Sequence, residues 1–171
     1  MCMAGYCYRG STMRAKSIAN KSSPLAIRQR MVRRIKRSKG NVFLREDFKH
    51  LGSYDAVGRH LKALCQEEVL IRLGYGVYAR ASYNSYAKKA LPICGLRTVY
   101  EAVERLGVKI GQSKATRDYN TARSRQVPNG RVIAVSKPIT RQLGYGGVTL
   151  YYEWVKDEAQ LADINDWRAA T

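Results

Sequence analysis

Two copies of Leu-Gly-Tyr-Gly are the residues that most suggest chemistry, because glycine-rich loops can hold a phosphate. They stand at residues 73–76 and 143–146. A phosphate-binding loop lies between a strand and the first turn of a helix, whose backbone N–H groups face the anion. Here strand-forming residues follow each copy, beginning at Val77 and Val148, and no Gly-Lys-Ser/Thr sequence occurs. We therefore interpret both copies as hairpin turns.

Other combinations that could support catalysis are also weak. The only two histidines are His50 and His60, ten residues apart. The acidic pairs Glu67-Glu68 and Asp157-Glu158 are adjacent in sequence, and neighbours on a helix do not share a face. The four cysteines are too scattered for a zinc signature. We therefore expect no catalytic residues, no metal site and no cofactor.

The charge of the chain is its most unusual property. It has 31 basic and 13 acidic residues, for a formal net charge of +18. Residues 1–90 carry 19 basic and 5 acidic groups, whereas residues 91–171 carry 12 and 8. Such a surface attracts polyanions, of which nucleic acid is the commonest. We see no signal peptide and no apolar stretch of membrane-spanning length, so a cytoplasmic protein that does not contact membranes is expected.

A basic helix is predicted between Ser23 and Gly40. Ser23 suits the N-cap, Pro24 the first turn and Gly40 the exit. Its apolar residues recur every four positions and form one stripe (Ile27, Met31, Ile35). Six cations occupy much of the remaining surface without one acidic residue (Arg28, Arg30, Arg33, Arg34, Lys36, Arg37). An anionic partner would relieve their mutual repulsion.

The next segment predicts a strand, two helices and a β-hairpin. Val42 and Phe43 begin a short strand, and a brief helix covers residues 45–51. Ser53 can cap a third helix over 54–68, and residues 69–81 form two apolar runs around a glycine turn. This order of elements is typical of a winged helix-turn-helix.

In that fold the third helix lies in the DNA major groove, while the first helix and the hairpin contact phosphates. Four residues of the third helix are candidates for contacting base edges (Tyr54, Arg59, His60, Lys62). Seven others are candidates for contacting the DNA backbone, from the first helix and the wing (Arg28, Arg33, Arg34, Arg37, Arg72, Tyr75, Arg80).

The complete chain is therefore predicted to be an α+β protein with two domains. Residues 1–22 are interpreted as a flexible basic tail, 23–81 as the winged helix-turn-helix, 82–95 as a linker and 96–171 as a small α+β domain. Within the last domain we expect a helix from residue 96, a short helix near 118–120, strands at 131–136 and 146–155, and another strand around 139–143. A terminal helix would point Leu161, Ile164 and Trp167 inward.

One family shares these motifs in its winged helix. A glycine precedes an apolar–aromatic pair, a short Asp-Phe helix ends in Leu-Gly-Ser, and an Ala-Val helix precedes Arg-Leu-x-x-Gly-x-Tyr (Gly40, Val42, Phe43, Asp47, Phe48, Leu51, Gly52, Ser53, Ala56, Val57, Leu61, Leu64, Arg72, Leu73, Gly76, Tyr78). A second group follows in the later half (Ala102, Leu106, Gly107, Val127, Pro128, Ser136, Pro138). The chain thus resembles AbiEi-type antitoxins of abortive-infection (type IV) toxin–antitoxin systems, over about residues 30–155.

The resemblance implies a non-enzymatic transcriptional regulator that binds double-stranded DNA at its own promoter and represses its operon. It also implies that the second domain helps to counteract a cognate nucleotidyltransferase-like toxin. The residues leave two alternatives open. The basic first helix and the twelve tyrosines would also suit an RNA-binding protein, and the positive charge would suit a protein-interaction module with an acidic partner.

Overall fold

A computed structural model describes residues 24–156 and Leu161. Its helices are α1 (Pro24–Arg37), a 3₁₀ helix (Arg45–Leu51), α2 (Tyr54–Gln66), α3 (Leu96–Arg105) and α4 (Lys114–Asn120). Its strands are β1 (Val42–Leu44), β2 (Leu70–Gly74), β3 (Val77–Asn84), β4 (Lys89–Pro92), β5 (Ile110–Gln112), β6 (Val132–Val135), β7 (Gly144–Tyr145), β8 (Val148–Thr149) and β9 (Tyr151–Trp154). The predicted α+β class is confirmed.

The first sheet has four antiparallel strands. β3 is central and pairs with β1 on one side and β2 on the other, with Ala79 opposite both Val42 and Ile71. The outer half of β3 pairs with β4, where Ala81 is opposite Pro92. The predicted linker, residues 82–95, therefore contains part of β3, a turn and β4.

The later half of the chain forms two smaller sheets. β6 lies between β5 and β9, pairing antiparallel with β5 and parallel with β9. β7 and β8 form a two-stranded hairpin whose turn is Gly146-Gly147. The strand predicted around residues 139–143 is wrong: this segment is irregular, and Leu143 is fully buried against other elements. The strand predicted over 146–155 is divided in two at Leu150.

Side chains of the first sheet alternate between two hydrophobic cores. On β3, Val77 and Ala79 point into one core and Tyr78 into the other. Val42 and Phe43 on β1 divide in the same way. This alternation is the two-residue period of a strand that is buried on both faces.

The helical core packs α1, the 3₁₀ helix and α2 against one face of this sheet. The predicted apolar stripe of α1 is buried there (Ile27, Met31, Ile35). Phe48 and Leu61 are fully buried at its centre, and the Phe43 and Phe48 rings lie 6.2 Å apart. Each fully buried side chain of this size contributes about 1.5–3 kcal/mol by leaving water.

The second core lies on the opposite face and joins the two halves of the chain. Val42, Leu73 and Val77 from the sheet contact residues of α3, β5, β6 and the later loops (Val99, Ala102, Val103, Ile110, Ile133, Val135, Leu143, Leu150). The amphipathic spacing of Val99, Ala102 and Val103 places them on one side of α3. The first sheet therefore forms a layer between the two groups of helices.

Two carboxylates reinforce this junction. Glu101 on α3 accepts hydrogen bonds from the backbone N–H groups of Asn41 (3.1 Å) and Val42 (3.4 Å). Asp47 on the 3₁₀ helix accepts one from the Leu44 N–H (2.8 Å) and pairs with Arg105 at 2.7 Å. α3 is therefore bound to both ends of β1.

The two Leu-Gly-Tyr-Gly copies meet in the second core. Gly74 of the first copy lies against Leu143 of the second. A methyl group on Gly74 would lie 2.6 Å from Leu143 Cδ2 and 2.9 Å from the Gln142 carbonyl oxygen. Glycine is therefore required at residue 74 for the close approach.

Arg80 holds the carboxyl end of α1. Its Nη2 donates to the carbonyl oxygens of Ile35 (2.5 Å) and Ser38 (3.1 Å). The last carbonyl groups of a helix have no partner within the helix, so a guanidinium satisfies them and complements the helix dipole.

Some sequence predictions fall outside the described residues, namely the 1–22 tail, the Ser23 cap, and Ile164 and Trp167 of the terminal helix. Leu161 is buried with Ala134 and Val155. None of the helices in the described part of the chain is both long and apolar enough to cross a membrane.

Replacement of Gly74 by alanine should destabilise the protein by about 1–3 kcal/mol, because the methyl group overpacks the contact with Leu143. Leu143→Ala alone should cost about 2–5 kcal/mol through the cavity it leaves. We expect the double variant to lose less than the sum of the two in urea unfolding, since the second change removes part of the clash. Additive losses would contradict the contact.

Replacement of Arg80 by methionine should lower the free energy of unfolding by about 1–3 kcal/mol, because partly buried carbonyls at the end of α1 lose a charged donor. Arg72→Met is the matched control: Arg72 is an exposed arginine on the neighbouring strand, and its loss should change stability by less than about 0.5 kcal/mol. Urea unfolding of both variants measures the difference, and equal effects would exclude a capping role for Arg80.

Candidate nucleic-acid interface

The outward face of α2 carries two exposed cations. The Ser53 Oγ caps the helix by accepting from the Ala56 N–H at 3.3 Å. Val57, Leu61 and Leu64 are buried, so the helical period turns Arg59 and Lys62 to solvent. Neither cation forms an ion pair with another residue in the described ranges. His60, also predicted to face bases, lies half-buried at the side of the helix.

Two exposed tyrosines meet at the first turn of α2. Tyr54 begins the helix, Tyr75 occupies the β2–β3 turn, and their hydroxyl oxygens are 3.2 Å apart. Tyr54 is 62% exposed and Tyr75 is 64% exposed. The hydrogen bond with Tyr75 raises the pKa of the Tyr54 phenol above its ordinary value. Two phenolic edges are therefore presented to solvent beside the amino end of α2.

Arg45 supports this tyrosine pair from the 3₁₀ helix. Its guanidinium carbon lies 3.2 Å from the centre of the Tyr54 ring, and Nη2 donates to the Tyr54 carbonyl at 2.6 Å. A cation over an aromatic face contributes about 0.5–2 kcal/mol. The backbone N–H of Arg45 also donates to the Gly76 carbonyl at 2.9 Å. Arg45 therefore connects the hairpin turn to the start of α2.

Gly58 provides the space for this arginine. A methyl group on Gly58 would lie 2.6 Å from Arg45 Nη2. Glycine inside a helix costs about 1 kcal/mol relative to alanine, and here the vacant position is filled by the guanidinium. Arg45 is not among the predicted site residues; the isolated glycine within the α2 pattern is the sequence signal that could have found it.

The hairpin turn is short and lies close to α2. Tyr75 and Gly76 form the turn, and Gly76 has a φ of +71°, in the region that favours glycine. Arg72 is two residues after Leu70 on β2, so its side chain lies on the same face of the sheet as Leu70, which is the face that packs against α2. The Arg72 Nε donates to the Gly74 carbonyl oxygen at 3.2 Å. Burial raises the pKa of Cys65 on α2, and the charge of Arg72 opposes that rise. Arg72 is therefore near α2 and exposed.

The C-terminal half of the chain also contributes residues beside the tyrosine pair. Leu106 and Arg141 line a cavity of about 250 Å³ together with Tyr54, Tyr75 and Arg45. The hairpin turn is thus supported by residues from α2, the 3₁₀ helix and the later loops.

The remaining predicted phosphate contacts lie elsewhere. Arg28 pairs with Glu67 at 2.6 Å, on the side of α1 that faces the carboxyl end of α2. Arg80 is occupied by the α1 carbonyls. Arg33, Arg34 and Arg37 line a groove on the other side of α1. The structure brings Tyr54 and Tyr75 together at the start of α2, whose exposed face carries Arg59 and Lys62. Arg72 lies on the adjoining hairpin, whereas these α1 residues lie elsewhere.

No group of three or more metal-ligating side chains with the spacing of a metal site occurs within residues 24–156. The free cysteines of this region are Cys65, which is half-buried, and Cys94, which is exposed.

Comparison with known proteins identifies one family. No curated protein and no solved structure matches the chain. A family model matches residues 29–146, which include α1, the first sheet and most of the second core. On this match, the chain belongs to DUF6088, a family of unknown function.

Proposed function

We propose that this protein is a sequence-specific regulator that binds double-stranded DNA through α2. The observation that carries the proposal is the position of two exposed cations, Arg59 and Lys62, on the outward face of a helix whose opposite face is buried. Neither forms an ion pair within the part of the chain that the structure describes. An α-helix with its side chains is about 10–12 Å wide, which matches the roughly 12 Å width of the DNA major groove.

The neighbouring elements support the same orientation. We assign the first helix, the 3₁₀ helix, α2 and the β2–β3 hairpin to a winged helix-turn-helix, with α2 as the recognition helix. Tyr54 and Tyr75 stand at its amino end, where tyrosine hydroxyls can donate to phosphate oxygens. Arg72 lies on the hairpin, where it would reach the DNA backbone beside the major groove.

The charge balance favours a polyanion over a neutral partner. Within the described residues only two ion pairs form, Arg28–Glu67 and Arg105–Asp47. Most of the cations within residues 24–156 are therefore without a carboxylate partner in this part of a chain whose formal net charge is +18. Binding to phosphates releases counterions and makes affinity strongly dependent on salt.

We further propose, on the resemblance to AbiEi-type antitoxins, that the protein represses its own operon in the cytoplasm. On the same ground it counteracts a cognate nucleotidyltransferase-like toxin, with the C-terminal half contributing to neutralisation. The DNA-binding and neutralising activities would then depend on different surfaces of one chain.

Arg59→Ala should relax sequence preference at one base position. On a duplex selected from a random library, we expect a loss of about 1–3 kcal/mol in binding free energy, because a base-edge contact is removed. Arg72→Ala is the matched control: it should weaken all duplexes similarly and reduce the slope of log K against log salt by about one. Uniform weakening by Arg59→Ala, or stronger binding of structured RNA than of duplex DNA, would contradict the proposal.

The antitoxin proposal predicts protection in cells. Co-expression of this chain with a toxic nucleotidyltransferase-like protein encoded beside it should restore growth. The double variant Arg59→Ala/Lys62→Ala should release a promoter reporter from repression and still restore growth, since the α2 face is not assigned to neutralisation. Failure of the unmodified chain to protect would exclude the antitoxin role and leave DNA binding to be judged separately.

A further inference from the structure

α1 presents a row of arginines to a groove on the side away from Glu67. Arg30 and Arg37 each lie three or four residues from Arg33 and Arg34, so the four side chains cover one side of the helix. The 3₁₀ helix and the end of α3 form the opposite wall. The groove encloses about 580 Å³, and we call it the α1 groove; its basic residues are Arg30, Arg33, Arg34, Arg37, His50 and Arg105.

The α1 groove is separate from the α2 surface. The 3₁₀ helix lies between them: Glu46 and Lys49 line the cavity beside Tyr54, whereas Asp47 and His50 line the α1 groove. The arginines of the groove are therefore not an extension of the face that carries Arg59 and Lys62.

The positive charge of the α1 groove is almost uncompensated. Among the lining residues that the structure describes, the single acidic one is Asp47, which already accepts from the Leu44 N–H and pairs with Arg105. The four α1 arginines form no ion pair with any residue in the described ranges. Several guanidinium groups around one concavity repel one another, and a bound anion with several charges would remove that repulsion.

The shape and lining of the α1 groove favour a compact anion. Volumes of about 300–1,000 Å³ are typical of sites for small ligands. Among its lining residues the one aromatic ring is Phe43, which is 3% exposed, so the described part of the groove has no platform on which single-stranded bases could stack. Arginine forks bind phosphate oxygens in pairs.

We propose that the α1 groove binds a small ligand that carries several linked phosphates, of the chemical class of inorganic oligophosphates and nucleoside polyphosphates. The arginines of α1 contact the phosphate chain from one wall, and His50 and Arg105 face it from the other. The buried side chains of Val42 and Phe43 form part of the floor. This site does not depend on the proposed DNA-binding function.

The test is a titration of the full-length chain with inorganic tripolyphosphate and, separately, with a nucleoside triphosphate, at about 0.15 M salt. The double variant Arg34→Gln/Arg37→Gln should weaken binding of both by about tenfold or more, since two charged contacts are lost. Both side chains are exposed, so thermal unfolding should show an unchanged fold. The matched control is Arg59→Gln/Lys62→Gln, which removes the same charge from the α2 face.

The outcomes separate the ligand sources and the competing explanations. Equal affinities for the two probes would identify the phosphate chain as the ligand, whereas tighter binding of the triphosphate would identify a nucleoside polyphosphate. The proposal is overturned if neither probe binds, or if the control variant weakens binding as much as the groove variant. It is also overturned if the groove variant impairs only duplex DNA binding, which would make the groove a contact for the DNA backbone.

Discussion

The central constraint of this structure is that one four-stranded sheet is buried on both faces. Tyr78 enters the helical core, and its neighbours Val77 and Ala79 enter the second core. A shift of the register by one residue would exchange the two sets and place side chains of the wrong size in both cores. The positions of α1, α2 and α3 all depend on this alternation. α1 and α2 pack on the sheet residues that face the helical core, and α3 packs on those that face the second core.

The orientation of α2 follows from the same constraint. Its buried residues Val57, Leu61 and Leu64 fix which face points to solvent, and Arg45 fixes the distance between its first turn and the hairpin. The relative positions of α2 and the hairpin are therefore fixed by buried contacts and by Arg45. α3 contributes indirectly, since Glu101 and Arg105 hold the two ends of β1, from which the 3₁₀ helix begins.

Local patterns in the sequence predicted most of the elements that carry this surface. The apolar stripe of α1, the Ser53 cap and the glycine turn at residues 75–76 each depend on neighbours within one or two turns of the chain, and the structure contains all three. The contacts that join distant residues were not predictable in this way. Arg80 was predicted to contact phosphate because it flanks the glycine turn of the wing; its role as a cap depends on α1 ending beside β3.

The missed elements have a similar cause. The polar residues 82–95 show no strand periodicity, yet they pair because β3 continues past the core and gives β4 an open edge. The segment 139–143 has strand-like composition. It is irregular instead, and Leu143 packs closely against Gly74. Arg45 was overlooked because the vacancy at Gly58 that admits it is a property of two elements together.

The shared sheet has a practical consequence for anyone who wishes to isolate the first half of the chain. A fragment that ends after β3 would retain α1 and α2 but would leave Val42, Leu73 and Val77 facing water as one apolar surface. Such a truncation would promote self-association and obscure any measurement of the proposed DNA binding. Because Leu143 and Leu150 complete the covering layer, a shortened chain suitable for biochemistry must extend at least through Leu150.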